Sequence, residues 1–210
     1  GVGKSVEKSS LKVAVNATPL LSPMTGIGRY LYSLCEQLEL MQHVSCAYFY
    51  GVRWATDLSA AELPQAANRI VRLATKAIPG SRSLLRGLQQ HRFSRGVQTV
   101  QPDVYHEPAF TPFRFDGPTV LTVHDVSWVH FPNAHPPERV RYLERVVSKR
   151  IGEANQVITD SEYVRSEVVR IFGVDPNRVS AIHLASDPVF RPRTAHETRT
   201  VLSPLRLEHG

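Results

Sequence analysis

The sequence predicts an α/β protein built on a parallel sheet with helices on both faces. Three observations carry this. Short segments rich in β-formers alternate with segments whose apolar residues recur at helical spacing, the rhythm of repeated βαβ units. The positions just after four of the candidate strands carry polar groups or glycine, as the ligand-binding end of such a sheet does. The 210 residues are 42% hydrophobic and 21% charged, enough for one α/β domain with a real core.

The elements follow in order. Residues 1–10 are polar and read as a flexible lead-in. Within them Gly1-Val2-Gly3-Lys4-Ser5 ends like a phosphate-binding P-loop, but it has no preceding strand and no glycine four residues earlier. Leu11–Asn16 reads as a largely buried strand. Gly26 opens a helix whose apolar stripe runs through Ile27, Tyr30, Leu31, Leu34, Leu38 and Met41. Val44–Tyr50 is the second strand, closed by Gly51. The pattern then weakens from Val52 to Pro79, with a short strand considered at Arg69–Leu73. Ser81–Val97 is helical. Asp103–His106 and Pro118–Val123 are strands, the second ending at His124-Asp125. Glu138–Ala154 is an amphipathic helix through Val140, Leu143, Val147 and Ile151. Gln156–Thr159 is a strand, and Ser161 caps a helix that stops at Gly173. Arg178–His183 is the last strand. Residues 11–186 thus make one domain, and 187–210, polar and punctuated by proline, read as a linker.

In open parallel sheets ligands bind beyond the carboxyl ends of the strands. That rule selects Asn16 to Gly28, His106-Glu107, His124-Asp125 and Asp160-Ser161. Gly26-x-Gly28 stands at a helix N-terminus, where backbone N–H groups and the helix dipole favour an anion, and Arg29 can add a charge-assisted bond. The same glycines serve equally well as a tight turn into the helix. A dinucleotide fingerprint is excluded, because Leu31 stands where a third glycine belongs and the second strand ends in no acid. A histidine at position 124 can donate or accept hydrogen bonds near neutral pH, and Asp125 beside it can adjust its charge.

Charge narrows the partners less sharply. The formal net charge of +6 suits an anionic partner: a nucleotide, a lipid diphosphate, an acidic membrane face or nucleic acid. Arg82, Arg86, Arg92 and Arg95, with Lys76 upstream, make the Ser81 helix basic on one side and leucine-rich on another. Such a helix suits an anionic membrane face or a solvated surface. No aromatic-interleaved basic stripe marks a nucleic-acid reader. A metal set of His124, His130 and His135 is disfavoured, because they share no helical ligand spacing and no cysteine accompanies them. The two cysteines, Cys35 and Cys46, lie among apolar residues and read as buried thiols of a reducing compartment.

Taken together, these stretches resemble the retaining glycosyltransferases of family 4, which have the GT-B fold. The resemblance rests on Val13-Ala14-Val15-Asn16-Ala17-Thr18-Pro19-Leu20 and Thr25-Gly26-Ile27-Gly28-Arg29-Tyr30. It continues through Pro102-Asp103-Val104-Tyr105-His106-Glu107-Pro108 and Thr122-Val123-His124-Asp125. Ile158-Thr159-Asp160-Ser161-Glu162-Tyr163-Val164-Arg165 and Asp187-Pro188-Val189-Phe190-Arg191-Pro192 complete it. It implies that the chain is the Rossmann-like, acceptor-side half of a two-domain enzyme. The linker would lead to an absent C-terminal, donor-binding domain.

The implied reaction transfers a hexose, with mannose the foremost candidate, from a nucleoside-diphosphate sugar such as GDP-mannose. The acceptor would be a lipid-linked or polysaccharide glycan of a bacterial surface. Neither a metal nor a further cofactor is implied. By the same resemblance His124 matches the histidine close to the reacting sugar, and Gly26, Gly28 and Arg29 face the donor diphosphate. Glu107, Asp125 and Ser161 would line the acceptor side. The location implied is cytoplasmic, with peripheral contact at the inner face of the plasma membrane. The rival reading is a non-catalytic α/β module that binds a nucleotide or a glycan.

Overall fold

A computed structural model describes residues 10–58 and 81–205. The lead-in at Gly1–Ser5, the short strand considered at Arg69–Leu73, and Lys76 lie outside the described residues. Among the described residues seven strands form one sheet: β1 (Leu11–Asn16), β2 (Val44–Phe49), β3 (Trp54–Ala55), β4 (Val104–Glu107), β5 (Thr119–Val123), β6 (Gln156–Thr159) and β7 (Val179–Ala181). Their order is β3-β2-β1-β4-β5-β6-β7, and every pairing is parallel except the antiparallel β2–β3 pair. The helices are α1 (Gly26–Glu39), α2 (Ser81–Val100), α3 (Ser127–His130), α4 (Pro137–Glu153), α5 (Glu162–Phe172) and α6 (Ala195–Leu202). This is a Rossmann-like α/β architecture. Strand order reverses between β1 and β4, which is the switch point where a crevice opens.

Register fixes which side chains share a face, because alternate residues of a strand point to opposite sides. Val13 and Val15 of β1 lie level with Cys46 and Tyr48 of β2, and α1 covers that face with Leu31 and Cys35. Ala14, Phe49 and Tyr105 look the other way, where Phe93 of α2 packs on them with Phe113. The rings there meet at favoured geometries: Phe49–Phe93 is edge-to-face at 5.3 Å and Phe93–Phe113 stacked at 5.0 Å. Such ring pairs add about 0.5–1.5 kcal/mol each beyond simple burial. α4 and α5 close the second half of the sheet, with Leu143, Val147, Ile151 and Val168 against Leu121, Val123, Val157 and Val179.

The local signals at the helix ends act as their chemistry dictates. Thr25 caps α1, its hydroxyl accepting from the Gly28 N–H at 3.2 Å, and Ser161 caps α5 in the same way through Val164. Gly173 ends α5 in the left-handed region at φ 63°, a conformation that costs glycine little.

The structure departs from the sequence reading at several points. β4 runs Val104–Glu107, one residue past the strand read to His106, so Glu107 stands within the sheet and not after it. The last strand is only Val179–Ala181, because Pro176–Arg178 form a 3-10 turn started by the Asp175 side chain. β3 arises in the stretch where the sequence pattern weakens, and α3 in the proline-rich stretch before the Glu138–Ala154 helix. α6 stands in the stretch read as a linker, held by a capping box between Thr194 and Glu197.

Candidate functional site

The carboxyl ends of β1, β4, β5 and β6 bring Asn16, Glu107, His124 and Asp160 to one edge of the sheet. His124 follows β5 directly, and its ring is held on both nitrogens. Nδ1 lies 2.8 Å from Asp160 Oδ2, and Nε2 lies 2.9 Å from the Pro108 carbonyl oxygen. Tyr30 of α1 meets the ring edge-on, with centroids 4.8 Å apart. The first two turns of α1 therefore stand beside His124, on the face opposite α2.

Below His124 on the same face runs a polar column. The Tyr30 hydroxyl is 3.2 Å from Thr122 Oγ1, which is 2.9 Å from His106 Nε2. His106 is buried. Burial and the neighbouring His124 push its imidazole down to about 4, so it is neutral at physiological pH.

The opposite face carries Glu107, which exposes none of its surface. Both its oxygens accept from Asn16 Nδ2, at 3.1 and 2.9 Å; Tyr105 Oη donates at 2.6 Å and the Ala109 N–H at 3.1 Å. Burial pushes its carboxyl up to about 7 against the pull of these donors. So enclosed, Glu107 presents no oxygen to an acceptor in this conformation. It braces the chain where β4 passes into the next loop.

Asp125 is exposed, and its Oδ1 accepts from the Ser127 N–H at 2.8 Å, which starts α3. Ser161 lies beside Asp160, its hydroxyl occupied in capping α5. The three residues read as an acceptor wall thus occupy different settings: one exposed, one at a cap and one enclosed.

At the start of α1, Gly26 and Gly28 both have ordinary negative φ. A Cβ built on Gly26 meets nothing within 4 Å, and one on Gly28 meets Met24 Sδ at 3.4 Å, an ordinary contact. Neither backbone conformation nor packing demands glycine here. Gly26 leaves open room over the helix N-terminus, whereas Gly28 is buried and its N–H is taken by the Thr25 hydroxyl. Arg29 is exposed and forms an ion pair with Asp187 at 3.6 Å, which ties the segment after β7 to α1.

The three histidines weighed as a metal set do not converge. His124 is engaged by Asp160, His130 by Glu167, and His135 Nε2 lies 3.0 Å from Ser127 Oγ. Sequence reasoning places Asp160 at the edge but gives it no role, and it gives none to Tyr30 or the Pro108 carbonyl. Only the proximity of strand ends, which spacing does not encode, joins them to His124.

Comparison with known proteins agrees with this geometry. A family model described as Glycosyltransferase Family 4 matches residues 24–189. The chain is 28% identical over 208 residues to O-antigen chain mannosyltransferase B of Escherichia coli, an alignment covering 94% of this chain and 53% of that protein. The chain thus spans about half the length of the curated relative it matches. The matched span includes α1, His124 and Asp160, and on it the chain belongs to Glycosyltransferase Family 4.

Proposed function

We propose that this chain forms the acceptor-side half of a retaining glycosyltransferase of GT-B architecture, moving a hexose from a nucleoside-diphosphate sugar to a glycan or lipid-linked hydroxyl. Mannose is the favoured sugar and GDP-mannose the favoured donor, in line with the relative's mannosyltransferase name. The observation that carries the proposal is the meeting of His124 with the glycine-opened N-terminus of α1 at the switch point of the sheet.

On this reading the α1 N-terminus faces the donor diphosphate, where the helix dipole and the first-turn N–H groups not taken by the Thr25 cap offset its charge. Arg29 adds a cation once it leaves Asp187. As the sugar–phosphate bond breaks, the leaving diphosphate takes the acceptor's proton on the same face of the sugar, and configuration is retained. Such preorganised donors act without a metal. His124 stands next to the sugar, its two ring nitrogens held by Asp160 and the Pro108 carbonyl. Asp125 and Ser161 lie on the acceptor side, with Glu107 behind them as a brace.

The proposal extends to place. A cytoplasmic setting fits the free thiols of Cys35 and Cys46, the former pushed up to about 12 by burial and so inert. Among the described residues no helix is long and apolar enough to cross a membrane. Contact with an anionic inner membrane face fits α2, which exposes Leu84 and Leu88 and carries Arg92 and Arg95 with no acidic residue.

The test is a screen of nucleotide sugars, with lipid-linked and oligosaccharide acceptors, against the two-domain enzyme in which this chain would form one half. Product mass reads the sugar, and the anomeric proton coupling reads the configuration. Transfer from GDP-mannose with retention, unaffected by a chelator, is expected. Tight nucleotide binding with no product from any donor would instead support the non-catalytic module. Within an active enzyme, His124→Ala should lower kcat roughly a hundredfold, since losing one preorganised contact costs ~3 kcal/mol. Near-wild-type turnover in a folded His124→Ala variant would remove the residue from the chemistry.

A further inference from the structure

We propose that His124 is clamped by a hydrogen-bonded chain running from Asp160 through a single peptide unit to Glu107, and that Asp160 and Glu107 are its positioning residues. Its relevance to sugar transfer rests on the function proposed above. Its geometry does not.

The chain can be followed atom by atom. His124 Nδ1 faces Asp160 Oδ2 at 2.8 Å, and Nε2 faces the Pro108 carbonyl oxygen at 2.9 Å. A carboxylate and a carbonyl only accept, so both bonds are filled only when each ring nitrogen donates a hydrogen. A ring bearing one hydrogen leaves one of the two bonds empty. While both are made, neither nitrogen keeps a lone pair to act as a base.

The Pro108 carbonyl belongs to the Pro108–Ala109 peptide. The other end of that same peptide, the Ala109 N–H, donates to Glu107 Oε1 at 3.1 Å. One rigid plane is thus gripped at its oxygen by His124 and at its nitrogen by Glu107. The two bonds polarise the peptide in the same sense, so each strengthens the other. Proline at 108 restricts the backbone that aims this carbonyl.

Glu107 is itself anchored. Asn16 Nδ2 and Tyr105 Oη donate to it, and Asn16 Oδ1 in turn accepts from Thr18 Oγ1 at 2.6 Å. The clamp therefore spans β1, β4, β5 and β6, the four strands whose ends form the crevice. Tyr30 closes the remaining side of the ring.

A second observation separates this from ordinary packing. Asp160 Oδ1 is buried and has no hydrogen-bond partner among the described residues. Leaving a buried carboxylate oxygen unmatched is costly. A side chain that served only the fold would avoid that cost. An aspartate is understandable here if its charge on His124 is what is being kept.

The experiment uses the protein labelled with 15N histidine, its ring nitrogens read by long-range proton–nitrogen spectra at neutral pH. In the wild type, His124 should show hydrogen on both nitrogens. In Asp160→Asn, which is nearly isosteric but uncharged, it should show one. In Asp160→Ala the remaining hydrogen should sit on Nε2, facing the Pro108 carbonyl. If the alanine variant does not fold, the asparagine variant decides alone. In Glu107→Gln, whose amide cannot accept from all three donors, the Ala109 amide should exchange at least roughly tenfold faster, the worth of one hydrogen bond. One bare ring nitrogen in the wild type, or two protonated nitrogens surviving in the Asp160 variants, overturns the clamp. Unchanged Ala109 exchange removes Glu107 from it. No readout depends on sugar transfer, so a failed donor screen and a failed clamp are distinguishable.

Discussion

His106 and Glu107 are adjacent on β4, point to opposite faces of the sheet and pull stability in opposite directions with pH. His106 is pushed down from 6.5 to about 4, so the folded state prefers it neutral. The unfolded chain binds its proton first, and stability from this residue is complete above about 6.5 and lost as pH falls toward 4. Glu107 is pushed up from 4.5 to about 7, so the folded state prefers it protonated. Its contribution is complete below about 4.5 and lost as pH rises through 7. Each is worth about 3 kcal/mol over its window. Between pH 4.5 and 6.5 the two largely cancel. Relative to wild type, His106→Asn should therefore lose stability with rising pH, by about 1.4 kcal/mol per unit across this range. Glu107→Gln should lose it with falling pH. Urea unfolding at a series of pH values checks both, and two variants as pH-independent as wild type would refute the pairing. At this scale the sequence is only partly informative. His124 was legible because it follows a strongly apolar strand. The enclosure of Glu107 was not, since it depends on Asn16, 91 positions away in the chain.

Glycines show how elements differ in what they require. Gly96 in α2 lies under Trp54 of β3: a Cβ built there would stand 1.8 Å from the indole Nε1. Gly96→Ala should force the indole away and cost about 2 kcal/mol. Gly87, on the same helix, has nothing within 4 Å of its built Cβ, so Gly87→Ala should gain about 1 kcal/mol from helix propensity. Thermal or urea unfolding of the two variants compares them directly, and equal shifts would contradict the packing described. Gly26 belongs with Gly87 structurally but not functionally. Gly26→Ala should keep or raise stability, by about 0.5 kcal/mol, yet raise the KM for nucleotide sugar because its methyl fills the room over the α1 N-terminus. A donor KM unchanged by Gly26→Ala would return the glycine to a simple turn role. Long periodic elements such as α1 and α4 were readable from their apolar stripes. β3 was not, because two residues of antiparallel edge pairing carry no pattern of their own. α6 was hidden by the prolines around it, although Thr194 and Glu197 spell its capping box.

At the scale of the whole molecule, the described residues gather His124, the α1 N-terminus and Arg29 at the carboxyl end of the sheet. The energetics of a diphosphate held by this group can be bounded. A helix N-terminus contributes about 0.3–1 kcal/mol to an exposed anion, and up to ~2 kcal/mol when partly buried. Arg29 adds a surface cation already engaged by Asp187, and exposed pairs are worth at most about 1 kcal/mol. Together these fall short of the roughly 4 kcal/mol that a millimolar complex requires. The 210-residue chain on its own should therefore bind GDP-mannose or a UDP-sugar no more tightly than about 1 mM and transfer no sugar. Titration calorimetry with this chain measures it. A micromolar complex, weakened by Gly26→Ala, would mean that this end of the sheet grips the diphosphate unaided, and the two-half division of labour proposed above would have to be abandoned.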